Sequence, residues 1–534
     1  MVISPPLCGV EPPPLRVRED DGFLQPWISI GSLMNKSASV LLGIVVAVGA
    51  ISAGGAWYTG TKLEGVLKNA IADSNKQMQT ALAGSNSTAA LELVSMDRGT
   101  FSSTAHYRLK GEGEIFGGES VELLFVDRIE HGPLPFSRLI TLKWLPVMAT
   151  SHTALERNPL TDKWFAATKD QSPLKGVVNL GYDESINGTY ELLPLDTKLD
   201  EQSQLTFSGL KVDVAASAQG QKIKADGYMD SFKLTTVAED QTPVQLELNG
   251  LTLASNLSKS TYGYYMGDNT LLMSSTKATF GEPKSVLGLK NFEMKNNSSE
   301  NGTSASGRAD YKIGELSFND KTIGSAQMAV SLKNLDIPAT MSLMQIYQTK
   351  LQPYEKAAAE AAAAGEPAPE LSLTEAEEAQ VKADLEKLLA GAPQVALENL
   401  SFNTANGESR ASLIVDLTKP QSMDLPPDEL GRQLLALLDF NLKVSKPMLV
   451  DLITVQAQME GQTDAKLIAD QATATSDMFS AMAVGTQLAT LEGNDVVTKL
   501  HYANNQVDFN GQKMTVEQFT AFVMNKLGGG VAIQ

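Results

Sequence analysis

A short repeated unit in the middle of the chain constrains the fold more than any other feature. Each copy begins with Gly or Asn and continues with an apolar, a polar and an apolar residue. The copies read GLKV, GLTL, NFEM, NLDI and NLSF, and they start at Gly209, Gly250, Asn291, Asn334 and Asn399. The first three steps between copies are 41, 41 and 43 residues, and the fourth is 65. This near-constant period predicts stacked or meandering repeats, and the alternative is an ordinary β-domain whose strands have similar lengths.

Alternation of apolar and polar residues extends the β pattern toward the N-terminal side. The run LELVSMDRGTFSSTAHYRL, which starts at Leu91, has a period of two, and VELLFVDRIEHGP follows it. Such alternation, broken by Gly and Pro turns, is typical of half-buried β-strands. We therefore expect a mainly β fold with flanking helices, in which residues 91–353 form an extended antiparallel sheet of loosely repeated strand units.

Residues 354–393 account for the longest step of the repeat. They contain the Ala-rich run AAAEAAAAGEPAPE and the run LTEAEEAQVKADLEKLLAGAP, which predicts a helix from Thr374 to a stop at Gly391. An acidic face is typical of a solvated helix, so we expect an exposed helical insertion. For residues 394–534 we expect β-strands plus a helical C-terminal part. The helices are predicted at DELGRQLLALLDF, MLVDLITVQAQME and TVEQFTAFVMNKL, and the last strands at VVTKLHYA and QVDFNG.

An uncharged stretch near the N-terminus predicts a membrane helix. No charged residue lies between Lys36 and Lys62, and the 25 residues from Ser37 to Thr61 would form a helix of about 37 Å. That length exceeds the hydrocarbon core of a bilayer, which is roughly 30 Å thick. We expect residues 34–61 to be a retained signal-anchor helix with Lys36 on the cytoplasmic side. The alternatives are a cleaved signal peptide and a buried core helix.

The residues that flank the predicted anchor differ in character. Residues 1–33 contain PPL, EPPPL and the charged run REDDG without periodicity, so we expect an over-called or disordered extension, with Met34 as the true start. Residues 62–90 predict an amphipathic helical linker, because apolar residues recur near helical spacing at Leu63, Leu67, Ile71, Met78 and Leu82. This helix either faces a partner or the membrane, or packs on its own domain.

Charge and composition argue against several classes of function. The formal net charge is −19, which disfavours nucleic-acid binding because phosphate neutralisation needs clustered Lys and Arg. Cys8 is the one cysteine, and no two of the four histidines lie within ten residues of each other: His106, His131, His152 and His501. No G-x-S-x-G, P-loop, H-E-x-x-H or G-x-G-x-x-G sequence occurs. We therefore predict a protein that is not an enzyme and has no catalytic residues, metal site or cofactor.

Several segments resemble the YdgA/YihF-type family of proteobacterial envelope proteins. MNKSASVLLGIVVAVG is followed by GGAWYTG and KLE, and ELVSMDRGTFSSTAHYRL precedes the turn at His131-Gly132-Pro133. Near the C-terminus, YANNQVDFNGQKMT is similar to the strand–turn–strand that ends the family's proteins. The similarity covers about 34–534. It implies an inner-membrane protein with a single span and the bulk of the chain in the periplasm. The family has no established function, so it supplies no site residues.

The pattern favours a binding function over catalysis. We expect a membrane-anchored periplasmic binding or scaffolding protein that takes a lipid or an envelope protein partner in a β-sheet groove. The alternatives are a self-associating structural envelope protein, which would be a homo-oligomer, and a hydrolase with an unrecognised site. Alternation in QLELNGLTLASNL places Leu246 and Leu248 in one set and Leu251 and Leu253 in another. Either one set is accessible to solvent, or helices from residues 430–485 bury both.

Overall fold

The computed structural model describes residues 86–527 except 117, 119, 239–241, 282–283 and 366, and also nine residues between 68 and 82. The described residues form one antiparallel sheet of 22 strands with interspersed helices, which confirms the mainly β prediction. The predicted extension 1–33 and the predicted membrane helix 34–61 lie outside the described residues. Within the part of the chain that is described, no helix is both long enough and apolar enough to cross a membrane.

The strands are longest in the centre of the chain. In chain order they are β1 (Ser87–Arg98), β2 (Ser102–Gly113), β3 (Val121–His131), β4 (Ala149–Leu155), β5 (Leu174–Leu180), β6 (Ile186–Leu192), β7 (Leu195–Lys198), β8 (Gln204–Phe207), β9 (Leu210–Ala216), β10 (Lys222–Val237), β11 (Pro243–Lys259), β12 (Tyr265–Phe280), β13 (Ser285–Asn301), β14 (Ser304–Phe318), β15 (Lys321–Asp336), β16 (Gln394–Asn403), β17 (Glu408–Leu417), β18 (Leu435–Ser445), β19 (Thr490–Glu492), β20 (Asp495–Ala503), β21 (Gln506–Phe509) and β22 (Gln512–Thr515).

The helices lie in the connections between strands and at the C-terminal end. They are α1 (Phe136–Ile140), α2 (Asp162–Ala167), α3 (Ile337–Ile346), α4 (Gln352–Ala364), α5 (Glu375–Ala390), α6 (Pro427–Leu434), α7 (Lys446–Met459), α8 (Ala465–Gly485) and α9 (Val516–Leu527).

Strands that follow each other in sequence pair along most of the sheet. β1 to β6 pair in chain order, β6 then pairs with β9, and β9 pairs with β10. The hairpin of β7 and β8 pairs with the other half of β10. From β10 to β18 each strand pairs with the next, and β18 continues to β20, β21 and β22. β19 pairs with the first residues of β20. The sheet is therefore a long meander.

The N-terminal part of the sheet encloses a hydrophobic core. Its largest fully buried side chains include Trp164, Phe125 and Leu205. Met78 and Leu82 from the N-terminal helical residues are buried in the same core. The side chain of Asn75 fixes these residues to β1, because its Nδ2 donates to Leu91 O at 2.9 Å and its Oδ1 accepts from Leu91 N at 2.7 Å. The helix predicted in residues 62–90 thus packs on its own domain where it is described.

A buried carboxylate lies in this core. Asp127 is 5% exposed, and its Oδ1 accepts a hydrogen bond from Ser151 Oγ at 2.6 Å. Burial raises the pKa of Asp127 to about 6, against the lowering effect of hydrogen bonds from Ser151, Thr153 and the backbone of His152. Burial, and then the neighbouring Asp127, raise the pKa of Tyr107. The folded state therefore favours the protonated form of both groups.

Left-handed residues interrupt the strands at the repeated unit. Gly209, Gly250, Asn291 and Asn334 have φ values of 96°, 65°, 53° and 58°. Most L-residues disfavour this region, whereas Gly and Asn tolerate it, which explains why each unit starts with one of these two types. We call each of these left-handed positions a kink. The strand register places Gly250 beside Ser274 and Ser274 beside Asn291, so the kinks of β11 and β13 lie in one line across β12. The unit at Asn399 coincides instead with a shift of register in β16.

Each kink changes the spacing of the apolar residues from two to three. Around Gly250 the apolar residues are Leu246, Leu248, Leu251 and Leu253. In a regular strand Leu248 and Leu251 would point to opposite faces. Here both pack against the N-terminal core, as do Met229 and Phe232 on the neighbouring strand. The two leucine sets, which strict alternation separates, therefore share one face, and all four side chains are partly exposed.

The helical segments differ in extent from the sequence expectation. The helices that precede β16 begin with α3 at Ile337, ahead of the predicted insertion. α5 has the predicted ends, since Thr374 caps its first turn and Gly391 follows its last residue. However, α5 is exposed on one side only, since Asp384 and Leu389 are buried and the helix contacts α3 and β15.

One segment expected to be helical is a strand. DELGRQLLALLDF forms α6 only as far as Leu434, and β18 begins at Leu435. β18 pairs with β17 on one side and β20 on the other. Pairing on both edges outweighs the helix propensity of the Leu- and Ala-rich sequence, which is a weak preference.

The kink at Asn291 can be tested by substitution. We expect Asn291→Val to lower the free energy of unfolding by about 2 kcal/mol, because a β-branched residue adopts positive φ poorly. Asn291→Gly should change it by less than about 0.5 kcal/mol. Ser299→Val, at another exposed position of β13, is the control and should also have little effect. Urea unfolding measures all three, and equal stability of Asn291→Val and the parent would contradict a left-handed constraint at this position.

The buried carboxylate makes stability depend on pH. Folding raises the pKa of Asp127 from 3.8 to about 6, so its contribution is complete below pH 4 and is lost as the pH rises through 6. The loss is on the order of 3 kcal/mol. Asp127→Asn should flatten the pH dependence of the unfolding free energy over this window in urea titrations. Asp97→Asn, at an exposed carboxylate of β1, should leave the slope as it is, and an equally steep slope in Asp127→Asn would refute the assignment.

Candidate functional site: an apolar sheet face with a cleft

The central strands carry apolar residues in rows that run across the sheet. Directly paired residues of antiparallel strands point to the same face. One row consists of Leu253, Leu271, Met294, Tyr311, Met328 and Leu400. The next row consists of Met229, Leu251, Met273, Phe292, Ile313, Ala326 and Phe402. Beyond the kinks the rows continue with Phe232, Leu248, Thr276, Leu289 and Leu316, and with Leu234, Leu246, Ala278, Leu287 and Phe318. We call this side of β10 to β16 the apolar face.

The apolar face is open at its C-terminal strands. Leu332, Val395 and Leu400 lie on it and are 43%, 46% and 45% exposed. On the opposite face of the same strands, Ala329 and Ser331 are buried. Helices α6 to α8, which one of the two alternatives places over the leucine sets, contact chiefly β15, β18, β19 and β20. At β15 and β16 the large apolar side chains of this face therefore remain in contact with solvent, whereas Met229 and Leu234 of β10 are buried in the N-terminal core.

A cleft of about 410 Å³ lies where the N-terminal core meets the apolar face. Strands β5, β6, β9 and β10 form one wall, and β11, β12 and β13 form the other. Its large apolar lining residues are Leu174, Tyr190, Leu192, Leu210, Val212, Val214, Leu253, Leu271 and Met294. The volume falls within the range of about 300–1,000 Å³ that is usual for small-molecule sites. None of the residues that line the cleft is charged.

Three polar residues form one side of the cleft. Ser255 pairs with Asn269 and Asn269 pairs with Asn296, so the three side chains lie in a row. Ser255 Oγ donates to Asn269 Oδ1 at 2.8 Å. Asn296 Oδ1 is buried, and no donor among the described residues reaches it. A buried acceptor without a partner costs about 1–3 kcal/mol, and a ligand hydroxyl or amide N–H at this point would satisfy it.

The opposite face of the same strands is charged. Lys233 Nζ lies 3.0 Å from Glu247 Oε1, and Lys290 Nζ lies 2.7 Å from Glu315 Oε1. Exposed pairs of this kind contribute about 0–1 kcal/mol each, so they matter here chiefly because they keep this face solvated. Leu272, which is 39% exposed, lies between such polar neighbours and next to Leu271 of the cleft. The central sheet is thus amphipathic, and its apolar side is open toward β15 and β16.

A serine, a histidine and a carboxylate meet at α1. His152 Nε2 lies 3.1 Å from Ser137 Oγ, which is the distance of a nucleophile–base pair. Glu130 Oε2 accepts from Ser137 N at 2.9 Å and lies 4.0 Å from the same His152 Nε2. A catalytic triad needs its carboxylate at the other ring nitrogen. Burial pushes the pKa of Glu130 upward, but the hydrogen bonds from Ser137 and the charges of His152 and Arg128 outweigh burial and lower it. The arrangement ties the first turn of α1 to β3.

The remaining histidines lie apart from this cluster and from each other. His106 Nδ1 is 3.2 Å from Glu156, His501 Nδ1 is 3.3 Å from Asp439, and His131 Nε2 is 3.1 Å from Ser103 Oγ. Within the described ranges, no group of three or more His, Cys, Asp or Glu side chains has the spacing of a metal site. The sequence predicts a groove in the sheet but identifies no site residues, and strict alternation puts the leucines that share this face into two separate sets.

Comparison with known proteins agrees with the resemblance noted in the sequence. Protein YdgA of Escherichia coli (strain K12) is 29% identical over 501 residues, which cover 91% of this chain and 96% of the relative. The uncharacterized protein YihF of the same organism is 23% identical over 510 residues, 91% of this chain and 98% of the relative. An uncharacterized protein of Haemophilus influenzae is 22% identical over 324 residues, 58% of this chain and 86% of the relative.

No solved structure matches the chain. The family model described as "Bacterial protein of unknown function (DUF945)" matches residues 34–517. The chain therefore belongs to this family of bacterial proteins of unknown function.

Proposed function

We propose that this protein is a non-enzymatic binding protein of the bacterial envelope, and that its apolar face takes a lipid chain that carries a neutral hydrogen-bond donor. One observation carries the proposal most directly. The cleft combines an apolar wall with a single buried acceptor, Asn296 Oδ1, that lacks a donor among the described residues. An apolar chain fits the wall, and a hydroxyl or amide group fits the acceptor.

The pairing of the sheet favours a lipid over a peptide strand. From β10 to β18 every strand has a partner strand on both edges, so neither edge is free for a further strand. Addition of a partner strand requires an unpaired edge. The apolar face therefore offers side chains only, and a flexible hydrocarbon chain is well matched to such a surface.

The uncharged lining narrows the ligand class. A free fatty acid would place its carboxylate near a cleft without Lys or Arg, and that charge would go unpaired. A hydroxylated or amide-linked lipid has a neutral group that can donate to Asn296. We therefore propose a neutral donor close to the start of the hydrocarbon chain.

Membrane anchoring is part of the same proposal. The uncharged segment from Ser37 to Thr61 supports an inner-membrane anchor, with the sheet in the periplasm. An anchored sheet would be close to a supply of lipid. Binding rather than self-association is proposed because the cleft has the volume of a ligand site and an unpaired acceptor.

A pair of neighbouring leucines provides a matched test of lipid binding. Leu271 lines the cleft, whereas Leu272 points to the charged face of the same strand. We expect Leu271→Asp to abolish recovery of lipid with the purified protein, because it places a charge in the apolar cleft. Leu272→Asp should leave lipid recovery unchanged. Mass spectrometry of bound lipid and thermal melting of both variants give the result.

A second variant keeps the proposal testable if Leu271→Asp does not fold. Asn296→Leu removes the unpaired acceptor, so it should raise the melting temperature of the empty protein and reduce recovery of lipids with a hydroxyl or amide donor. Asn297→Leu, on the opposite face of β13, is its control. Equal lipid recovery from Leu271→Asp, Asn296→Leu and the parent would contradict the proposal, as would a parent protein that forms oligomers and carries no lipid.

The direction of the chain across the membrane has a separate test. An alkaline phosphatase reporter fused after Gly84 should be active in cells, because the positively charged flank of the anchor remains in the cytoplasm. A cytoplasmic reporter fused at the same residue should be inactive. The opposite pattern of activity would overturn the proposed orientation without bearing on the cleft.

A further inference from the structure

The loop between β3 and β4, residues 132–148, exposes large apolar side chains. Together with the neighbouring turn of β1 and β2, the exposed residues are Phe101, Phe136, Ile140, Leu142, Trp144 and Leu145, which are between 63% and 84% exposed. The backbone joins the two parts, since His131 N donates to Phe101 O at 2.9 Å. We call these six residues the apolar tip. Contiguous exposed residues of this size are uncommon on a protein that has no partner at that surface.

Hydrogen bonds at the base of the loop hold the apolar tip outward. Gly132 N donates to Met148 O at 2.7 Å, and Val147 N donates to Pro133 O at 3.0 Å, so the two ends of the loop are joined. The guanidinium of Arg138 donates to Asn179 Oδ1 at 2.9 Å and to Leu145 O at 3.0 Å. These bonds brace the loop from inside and leave its apolar side chains in solvent.

The backbone of the loop is also strained at one residue of the apolar tip. Leu142 has φ of 57°, which is unusual for a bulky residue. The left-handed turn lies between Ile140 and Trp144, at the most exposed part of the loop. Strain of this kind persists where the surrounding structure imposes it, and it is often found at functional surfaces.

The charge around the apolar tip differs from that of the whole chain. Residues 131–155 contain no Asp or Glu but include Arg138 and Lys143, although the chain carries a net charge of −19. The adjacent Glu130 is buried beneath the loop, where it accepts a hydrogen bond from Ser137 N. Arg138 bonds two neutral oxygens, so those contacts leave its positive charge uncompensated. Aromatic and aliphatic side chains beside cations are typical of surfaces that bind the interface of an anionic bilayer.

The end of the sheet that carries the apolar tip is also the end that lies toward the predicted anchor. Asn75 bonds to Leu91, and Leu82 precedes the start of β1 by only a few residues, so the N-terminal helical residues run antiparallel to β1. Their first described residue, Lys68, therefore lies toward the end of β1 that leads to Phe101. The predicted anchor ends seven residues before Lys68, a reach of at most about 25 Å.

We propose that the apolar tip docks onto the surface of the anionic bilayer in which the chain is anchored. This inference rests on the proposed anchoring but not on lipid binding in the cleft. Docking would give the sheet a second attachment to the membrane and fix its orientation, with Trp144 at the level of the headgroups and Lys143 beside lipid phosphates.

The test places an environment-sensitive fluorophore on the full chain. Cys8→Ser removes the native thiol, and Trp144→Cys or Met478→Cys then gives a single labelling site. Met478 is the matched control because it is 68% exposed and lies on α8, far along the chain. After reconstitution into vesicles of phosphatidylethanolamine and phosphatidylglycerol, the label at 144 should emit at shorter wavelength. Nitroxide-labelled lipids should quench it several-fold more strongly than the label at 478.

A charge variant and flotation of the vesicles make the outcomes separable. Lys143→Glu should weaken quenching of a label placed at Leu145→Cys in phosphatidylglycerol vesicles but not in pure phosphatidylcholine. Protein that floats with the vesicles while its label at 144 stays as unquenched as the label at 478 would refute docking alone. Protein that does not float would contradict docking and anchoring together. A spectral shift that needs no lipid and grows with protein concentration would show that a second copy covers the tip, which also overturns the inference.

Discussion

The left-handed backbone at Gly250, repeated at Asn291, decides on which face the apolar residues of the central sheet lie. A strand of 17 residues with strict alternation would divide the leucines of β11 between its two faces. The kink reverses the alternation within the strand, so that residues before and after it point the same way. Because the kinks align from one strand to the next, the reversal applies to a whole band of the sheet, and a wide apolar face results.

The apolar face continues the side of the sheet that encloses the N-terminal core. Toward β1 the apolar side is closed, and Phe125 and Trp164 are fully buried there. Toward β16 the same side is open, and Val395 and Leu400 are nearly half exposed. The cleft lies at the transition, where one wall belongs to the core and the other to the open sheet. The lining of the cleft combines hydrophobic area with a few neutral polar side chains, among them Ser255, Asn269 and Asn296, and contains no charged residue.

Local sequence patterns predict the parts of this fold that depend on local interactions. Alternation from Leu91 predicts the strands, and Thr374 and Gly391 predict the ends of α5, because caps and period-two patterns act within a few residues. The repeat at Gly250 and Asn291 is visible in the sequence, but its effect is not. Whether such a residue lies in a turn or inside a strand depends on pairing at both edges. The same reason explains Leu435, where pairing with β17 and β20 produces a strand from a helix-prone sequence. The cleft and the apolar tip form through contacts between residues that are distant in the sequence, so local patterns do not predict them.

The central claim is that the kink places Leu248 and Leu251 on one face, and a nitroxide scan from residue 246 to residue 253 tests it most directly. Each position is labelled in turn in the Cys8→Ser chain, and its accessibility to oxygen is compared with its accessibility to an aqueous nickel chelate. The account predicts that apolar environments occur at 246, 248, 251 and 253, with a step of three across Gly250. An uninterrupted period of two, which would group 248 with 252 and 247 with 251, would contradict it.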